Sequence, residues 1–250
     1  MNIRKALQLI VILVLILTTA TGCDLLSFGK ERKIKNLFNE KLKFYPVKNL
    51  DDYYHLTPKG EYTKNNIYSG EWILLSNYSF KKREGLYTEG AILHIDIDKK
   101  LAKGKYYKNL IYEDKEKGLI TKKTNYKIIM KNNHLKCIDD RASKVMKEKI
   151  ENFKFISQYA NFKKLKRFPW SIQNYNYTLN SFFATRELSN EDEIVKYLRN
   201  NYDIKYKSSP YISMSGNSKE FKQDNNINID LEITFNKNNC YFSDAIIYKN

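Results

Sequence analysis

The chain has 250 residues, and its 44 lysines and arginines outnumber its 28 aspartates and glutamates, which gives a formal net charge of +16. It contains only nine glycines and three histidines, and it has no glycine-rich phosphate loop, no paired histidines flanking an acid and no serine set between glycines. This composition argues against nucleotide-hydrolysing, zinc-peptidase and serine-hydrolase chemistry, and its charge favours anionic partners.

Residues 1–22 have the organisation of an export signal. A short basic head with Arg4 and Lys5 precedes an apolar run from Leu9 to Leu17, and small residues follow that run. The run is shorter than the ~20 residues that a membrane-spanning helix needs. We therefore expect residues 1–22 to be a lipoprotein signal peptide that is removed, which lowers the net charge to +14, from 42 basic and 28 acidic residues.

The tetrapeptide Ala20-Thr21-Gly22-Cys23 resembles the bacterial lipobox, in which the cysteine thiol accepts a diacylglyceryl group. A thiolate is a strong nucleophile, whereas a hydroxyl at this place would need an activating base. Each buried methylene adds about 0.8 kcal/mol, and two acyl chains give stable anchoring. We predict lipidation at Cys23 and a location on the extracellular face of the cell membrane. The alternative is an ordinary secretory signal with a chance cysteine at the cut.

Residues 23–30 are predicted to be a tether, and residues 31–138 a helix followed by an antiparallel meander. Apolar residues at helical spacing predict the helix, which Pro46 ends: Ile34, Leu37, Phe38, Leu42 and Tyr45. From Gly70 the apolar period changes to two, which predicts four consecutive strands with short turns. These strands are expected over residues 72–78, 91–97, 104–112 and 119–130.

Residues 139–250 are predicted to contain a helix, a strand, a second helix and antiparallel strands. Asp139 or Asp140 is placed to cap the first helix, whose apolar stripe runs from Met146 to Ala160. Strand character over 169–186, a short helix with Val195, Leu198 and Tyr202, and alternating strands over 227–235 and 240–248 follow. The pattern predicts an α+β fold in which amphipathic helices pack on antiparallel meander sheets. Its two similar-sized halves meet near residue 138, either as separate units or as one continuous domain.

Polar residues elsewhere provide no catalytic or metal site. His94, Asp96 and Asp98 share one strand face and carry metal-ligand atoms, but the neighbouring Lys99 and Lys100 would repel a cation. We therefore favour a solvated strand face and predict no metal or cofactor. The carboxylate pairs Asp139 with Glu151 and Asp192 with Glu193 are explained by helix capping. Cys137 and Cys240 either form one bridge or stay as two free thiols.

A basic segment beside two aromatic rings is the candidate binding patch. It combines charge with aromatic faces, as surfaces that bind polymers or partner proteins do. Its members are Lys163, Lys164, Lys166, Arg167, Phe168 and Trp170. The alternative is a helix C-terminus that runs into a packed turn. Because lysines outnumber arginines 37 to 7, we expect a generally solvated basic surface and no specific nucleic-acid partner.

The mature chain resembles the staphylococcal tandem lipoproteins, a family of surface lipoproteins encoded in paralogous clusters. Six stretches carry the resemblance: Tyr45–Leu50, Gly70–Ile73, Ile111–Lys115, Ile150–Phe162, Tyr197–Asp203 and Tyr241–Asp244. The resemblance implies a lipoprotein without enzymatic activity that takes part in host-cell interaction and stimulates innate immune receptors through its lipid. The alternative is an envelope lipoprotein that captures an anionic polymer or a small ligand for its own cell. A host surface protein or an anionic polymer is therefore the expected partner.

Overall fold

The computed structural model describes residues 42–56, 70–162, 171–176, 181–217 and 227–249. The predicted signal peptide, Cys23, the tether and nearly all of the predicted first helix lie outside the described residues. So does the candidate patch from Lys163 to Trp170. Two short 3-10 helices, Leu42–Phe44 and Leu50–Tyr54, precede the first strand.

Ten strands and three α-helices follow in the part of the chain that the structure describes. The strands are β1 (Glu71–Lys82), β2 (Gly85–Asp96), β3 (Leu101–Asp114), β4 (Gly118–Lys131), β5 (His134–Cys137), β6 (Ser171–Asn176), β7 (Ser181–Glu187), β8 (Tyr211–Asn217), β9 (Ile227–Asn236) and β10 (Cys240–Lys249). The helices are α1 (Lys144–Glu151), α2 (Ile156–Tyr159) and α3 (Glu193–Asn201).

The ten strands form one antiparallel sheet in the order β5-β4-β3-β2-β1-β10-β9-β8-β7-β6. Strands β1 to β5 run as a meander from the centre to one edge, and β6 to β10 run as a second meander from the other edge back to the centre. The two meanders meet where β1 pairs with β10. The antiparallel strands predicted from the apolar period are confirmed, whereas a division into two similar-sized halves is not, because both segments contribute to one sheet.

Two turns show why the chain reverses where the sequence predicted. Asn132 and Asn133 connect β4 to β5 with φ angles of 51° and 63°, a left-handed pair that asparagine tolerates and that matches the twist of a two-residue hairpin. Asn238, with a φ of 65°, lies in the turn between β9 and β10, where the Asn239 amide donates to the Asn236 carbonyl at 3.1 Å. Each turn contains a pair of consecutive asparagines, Asn132-Asn133 in the first and Asn238-Asn239 in the second.

The single helix predicted over residues 146–160 is wrong in length. α1 ends at Glu151, the backbone is extended at Phe155, and α2 is a separate turn. Phe155 and Ile156 are both buried, and they lie at the break, where the chain leaves the helical path between α1 and α2. The break is held by the Phe155 amide, which donates to the Gln158 side-chain oxygen at 2.9 Å.

The predicted cap of this helix is also wrong. Ser143 caps α1, and its hydroxyl accepts from the Met146 amide at 3.3 Å. The Asp139 carboxylate is instead bound by the Arg141 guanidinium at 2.8 Å and by the Lys127 amide at 3.2 Å. The hydrogen bonds from Arg141 hold the pKa of Asp139 well below its usual range. Asp139 therefore fastens the segment after β5 to β4 and caps no helix.

One face of the sheet is buried by aromatic packing. Trp72 of β1 is fully buried, and its ring lies 5.5 Å from Phe44, 5.3 Å from Tyr53 and 4.9 Å from Tyr248. Further along this face, Tyr106 of β3 meets Phe153 after α1, and Tyr78 of β1 meets Tyr202 after α3. Offset and edge-to-face aromatic pairs contribute about 0.5–1.5 kcal/mol beyond the area they bury. We call this the covered face.

A buried carboxylate lies at the centre of the covered face. Asp244 of β10 is 3% exposed and accepts hydrogen bonds from the Tyr45 hydroxyl at 2.7 Å and from the Ser76 hydroxyl. The backbone amides of Ile156 and Ser157 at the start of α2 also lower the pKa of this carboxyl. The Ile156 amide donates a 2.9 Å hydrogen bond to the Ser76 oxygen. These residues, the Asp244 cluster, join the N-terminal 3-10 segment, β1, β10 and α2.

Burial raises the pKa of Asp244 from an ordinary value near 3.8 to about 6, although the hydrogen bonds from Ser76 and Tyr45 act in the opposite direction. The native carboxyl therefore binds its proton more tightly than the unfolded one. A group of this kind stabilises the fold below its unfolded pKa, and that contribution is lost as the pH rises through its folded pKa.

We predict that the free energy of unfolding of the wild-type protein, relative to Asp244→Asn, falls by about 3 kcal/mol between acidic and neutral pH. Asparagine has no proton to lose, so the difference isolates this carboxyl. Urea titrations at about pH 3 and pH 7 measure it. Tyr45→Phe, which removes one hydrogen bond to the carboxylate, should move the fall to higher pH. A pH-independent difference would contradict the assignment.

Candidate functional site

The second face of the sheet, which we call the open face, presents half-buried side chains along its centre. Ile73 and Leu75 of β1, Ile92 of β2 and Ile247 of β10 alternate with the fully buried residues of the covered face. The register places Ile73 opposite Ile247 and Leu75 opposite Ile92. The centre of the open face is therefore an apolar surface that solvent reaches in part.

Charged side chains of opposite sign lie on the two sides of this apolar centre, four lysines on one side and three carboxylates on the other. Exposed lysines lie towards one edge, on β3 and β4: Lys103, Lys105, Lys123 and Lys127. Carboxylates lie towards the other edge, on β7 and β9: Glu187, Asp230 and Glu232. In the strand order, β3 and β9 are four positions apart. Because neighbouring strands are separated by about 4.8 Å, the lysines and the carboxylates do not lie side by side. The basic region and the acidic region can therefore bind different ligands.

The acidic side contains a groove of about 870 Å³. Its floor is formed by open-face residues of β7, β8, β9 and β10, and its margins by Leu86 of β2, by residues 208–209 and by the turn at 236–238. This is the size range of small-molecule sites in proteins, which are concave and combine apolar surface with a few polar groups. We take the groove as the candidate functional site.

The sheet register arranges the groove residues in two transverse rows. In the first row Tyr241 of β10 is opposite Thr234 of β9, which is opposite Tyr211 of β8. Glu187 of β7 continues that row beyond Tyr211. The side chains of one row lie on one face because successive residues of a strand point to opposite faces. Two tyrosine rings thus flank a threonine hydroxyl along a straight line across the sheet.

The second row lies two residues along each strand. Glu232 of β9 is opposite Ser213 of β8, which is opposite Thr185 of β7. The Thr234 hydroxyl connects the two rows, since it donates to a Glu232 carboxylate oxygen at 2.6 Å. That hydrogen bond orients the carboxylate across the floor of the groove and leaves its second oxygen available to a ligand.

Two aromatic rings of the groove are exposed. Tyr211 is 54% exposed and Phe183 is 37% exposed, while most other rings of the described sheet are packed. Exposed large rings beside a concave, polar floor are typical of binding surfaces, because a ligand that covers them removes apolar area from water. The Tyr211 and Phe183 rings are therefore accessible to a ligand that enters the groove.

The other polar residues marked by the sequence have structural partners. His94 Nδ1 lies 3.1 Å from the Glu71 carboxylate, and Asp96 is paired with Lys99 at 2.7 Å. Among the described residues, no group of three histidine, cysteine or acidic side chains could hold a metal ion. The His94 and Glu71 side chains are 43% and 39% exposed, so this strand face is partly solvated. The Glu151 carboxylate pairs with Lys136 at 3.4 Å, whereas the Asp139 carboxylate pairs with Arg141. The two carboxylates therefore have different partners.

The groove was missed in the sequence. Its strongest available signal was Glu232 and Thr234, which alternate with the buried Leu231 and Ile233 and so belong to the polar face of a predicted strand. β8, which contributes Tyr211 and Ser213, was not predicted at all. The candidate patch from Lys163 to Trp170 lies outside the described residues, so its geometry stays a prediction.

The two cysteines of the described chain are free thiols. Cys137 is half-buried at the end of β5, and Cys240 is buried at the start of β10, where its sulfur lies 3.9 Å from the Tyr78 hydroxyl. Burial raises the pKa of the Cys240 thiol, which lowers its nucleophilicity at neutral pH. Of the alternatives left open by the sequence, the structure has two unpaired thiols.

Over the described residues, no helix has the length and apolarity needed to cross a membrane.

Residues 30–250 match the sequence model of the Csa1 family. The chain is also similar to lipoproteins of Staphylococcus aureus strains USA300, NCTC 8325 and COL that are named as uncharacterized. Each is 34% identical, over 99% of this chain and 97% of the relative's length. These relatives define the class of the protein as a staphylococcal lipoprotein, which implies association with a membrane through lipid. The chain belongs to the Csa1 family, and the resemblance to staphylococcal lipoproteins is confirmed.

We predict that thiol reagents distinguish Cys137 from Cys240 in a Cys23→Ala background, which removes the third cysteine of the chain. In the native protein Cys137 should react with a maleimide, whereas Cys240 should be protected by burial and by its raised pKa. In denaturant both should react, and Cys137→Ala should leave one reactive thiol. Mass spectrometry of the labelled protein counts the adducts. A denatured, unreduced protein that takes up no label would show a bridge between the two cysteines.

Proposed function

We propose that this protein is a non-enzymatic surface lipoprotein, anchored by a diacylglyceryl group on Cys23 at the extracellular face of the cell membrane. Its lipid end stimulates host innate receptors that sense lipidated cysteine, and its folded part contacts host cells. The observation that supports this most is Cys23 itself, which follows an export-type segment in a chain whose relatives over nearly full length are named lipoproteins. No other position combines a sequence motif with support from the family.

A role in binding is supported by the disposition of polar groups in the described sheet. The most strongly buried carboxylate, Asp244, is used to join structural segments and lies on the covered face. The groove faces solvent, and its carboxylate Glu232 is oriented by Thr234. An open, polar surface with exposed rings suits recognition, whereas a catalytic pair needs groups whose environments separate their pKa values.

Replacement of Cys23 tests the anchor. We predict that Cys23→Ala abolishes incorporation of radiolabelled palmitate, because alanine offers no nucleophile for acyl transfer. The variant should leave the membrane fraction, and reporter cells that carry lipopeptide-sensing innate receptors should lose their response to the purified protein. Cys137→Ala is the matched control, since it removes a cysteine of the folded part.

The two readouts separate the parts of the proposal. A Cys23→Ala protein that still incorporates palmitate would contradict lipidation at this residue. A variant that loses palmitate but still stimulates the reporter cells would contradict the role of the lipid in receptor stimulation. Host-cell contact is measured separately, as adhesion of beads coated with the wild-type lipoprotein, and beads that adhere no better than uncoated ones would contradict it.

A second candidate function is capture of an anionic envelope polymer for the bacterium's own use. The observation in its favour is the basic region of the open face, formed by Lys103, Lys105, Lys123 and Lys127, which are all exposed. Lysine recognises phosphate as a point charge and without the fixed geometry of arginine. Such a region favours binding that depends on charge density more than on sequence or shape.

We predict that binding to polyglycerol phosphate, if this second function holds, is strongly salt-sensitive. The screening length falls from about 10 Å at 0.1 M salt to about 3 Å at 1 M, so affinity should drop steeply over this range. Changing the four open-face lysines to glutamine should weaken binding, and changing Lys163, Lys164, Lys166 and Arg167 tests the other basic segment. Lys144→Gln on α1 is the control. Absence of binding at low salt would exclude this function.

A further inference from the structure

We propose that the groove of the open face, between β7 and β10, is a binding site for an uncharged oligosaccharide. This site is formed by the folded domain and does not depend on lipidation of Cys23. It is also distinct from the basic region, which lies on the far side of the apolar centre. The proposal rests on the chemistry and spacing of a few side chains: Phe183, Tyr211, Tyr241, Glu187, Glu232 and Thr234.

The groove combines the two kinds of contact that a sugar requires. One face of a pyranose ring consists of C–H groups and packs against an aromatic ring, so exposed rings such as Tyr211 and Phe183 offer apolar platforms. The hydroxyls of the sugar donate and accept hydrogen bonds. A carboxylate accepts through two oxygens, and neighbouring serine and threonine hydroxyls both donate and accept. Glu232, Ser213 and Thr185 form such a row across the floor.

The spacing of the rings fits more than one sugar unit. Tyr211 and Tyr241 belong to strands separated by β9, so their backbones are about 10 Å apart at the usual distance between strands. Thr234 lies between them in the same row, and its hydroxyl is held by Glu232 at 2.6 Å. A chain of two or more sugar rings laid across the strands would meet a tyrosine at each end and polar groups between them.

The charge of the groove selects against other ligand classes. Its charged side chains are Glu187, Glu232 and Lys237, so the site has a small negative charge on a chain whose net charge is +16. A polyanion would be attracted to the lysines of β3 and β4 and repelled by the two carboxylates. An apolar ligand would leave the carboxylates and hydroxyls of the floor without water or partners, which costs binding energy. An uncharged ligand with many hydroxyls is not repelled by the carboxylates, and it supplies hydrogen-bond partners to the polar groups of the floor.

The test is binding of chitohexaose, cellohexaose and maltohexaose to the intact lipoprotein in amine-oxide micelles, which carry no sugar head group. Saturation-transfer NMR detects contact, and calorimetry gives the dissociation constant. We expect at least one of the three to bind. Tyr211→Ala should weaken that binding by about tenfold, and Tyr211→Phe, which keeps the ring, should retain most of it. Glu232→Gln keeps the volume but loses an acceptor, so it should also weaken binding.

Matched controls are taken from residues that do not line the groove. Tyr54→Ala in the second 3-10 helix removes a half-exposed ring, and Glu148→Gln on α1 neutralises an exposed carboxylate; neither should change the dissociation constant. Unfolding curves confirm that each variant is folded, as expected for exposed positions. The proposal is overturned if none of the three oligosaccharides binds, or if Tyr211→Ala and Glu232→Gln bind as tightly as the controls. Loss of palmitate in Cys23→Ala has no bearing on either outcome.

Discussion

The pairing of β1 with β10 connects the two meanders, and the arrangement of the open face depends on it. The two strands are about 170 residues apart in the chain, so loop closure opposes their pairing and local contacts cannot specify it. The Asp244 cluster adds specificity at this point, because Ser76 of β1 and Asp244 of β10 are register partners and are joined by a hydrogen bond. A slip of β10 by one residue would turn Asp244 to the open face and break its hydrogen bonds with Ser76 and Tyr45.

This central pairing also explains why the open face has two chemical characters. β1 to β5 form one side of the sheet and contribute the four exposed lysines together with Glu71 and Asp96, whereas β6 to β10 form the other and contribute Glu187, Asp230, Glu232 and most of the groove. Between them, Ile73 and Ile247 meet across the β1–β10 pair. A net charge of +16 therefore describes the chain but not each part of its surface. The groove is a weakly acidic area on a basic protein.

Local patterns in the sequence predicted which segments form strands, but they did not predict which strands pair with each other. β1 to β4, β9 and β10 have an apolar period of two, which is a strong signal, whereas β8 alternates only Ile212 and Met214 with small residues and was missed. The period even placed Asp244 in phase with the buried Phe242 and Ile246, a signal of an inward carboxylate that was not used. The rows of the groove could not be predicted, because they require the register of β7 to β10, which distant pairing sets.

The segments that carry the family resemblance help to separate scaffold from site. Tyr45, Trp72, Ile156 and Asp244 all lie within those segments, which contain the centre of the aromatic packing and all of the Asp244 cluster except Ser76. Of the groove residues, Phe183, Tyr211 and Glu232 lie outside the segments and Tyr241 lies inside one. Buried hydrogen-bonded groups tolerate little change, whereas exposed positions usually change stability by less than about 0.5 kcal/mol. Substitutions at exposed positions of the groove should therefore destabilise this fold less than substitutions in the Asp244 cluster.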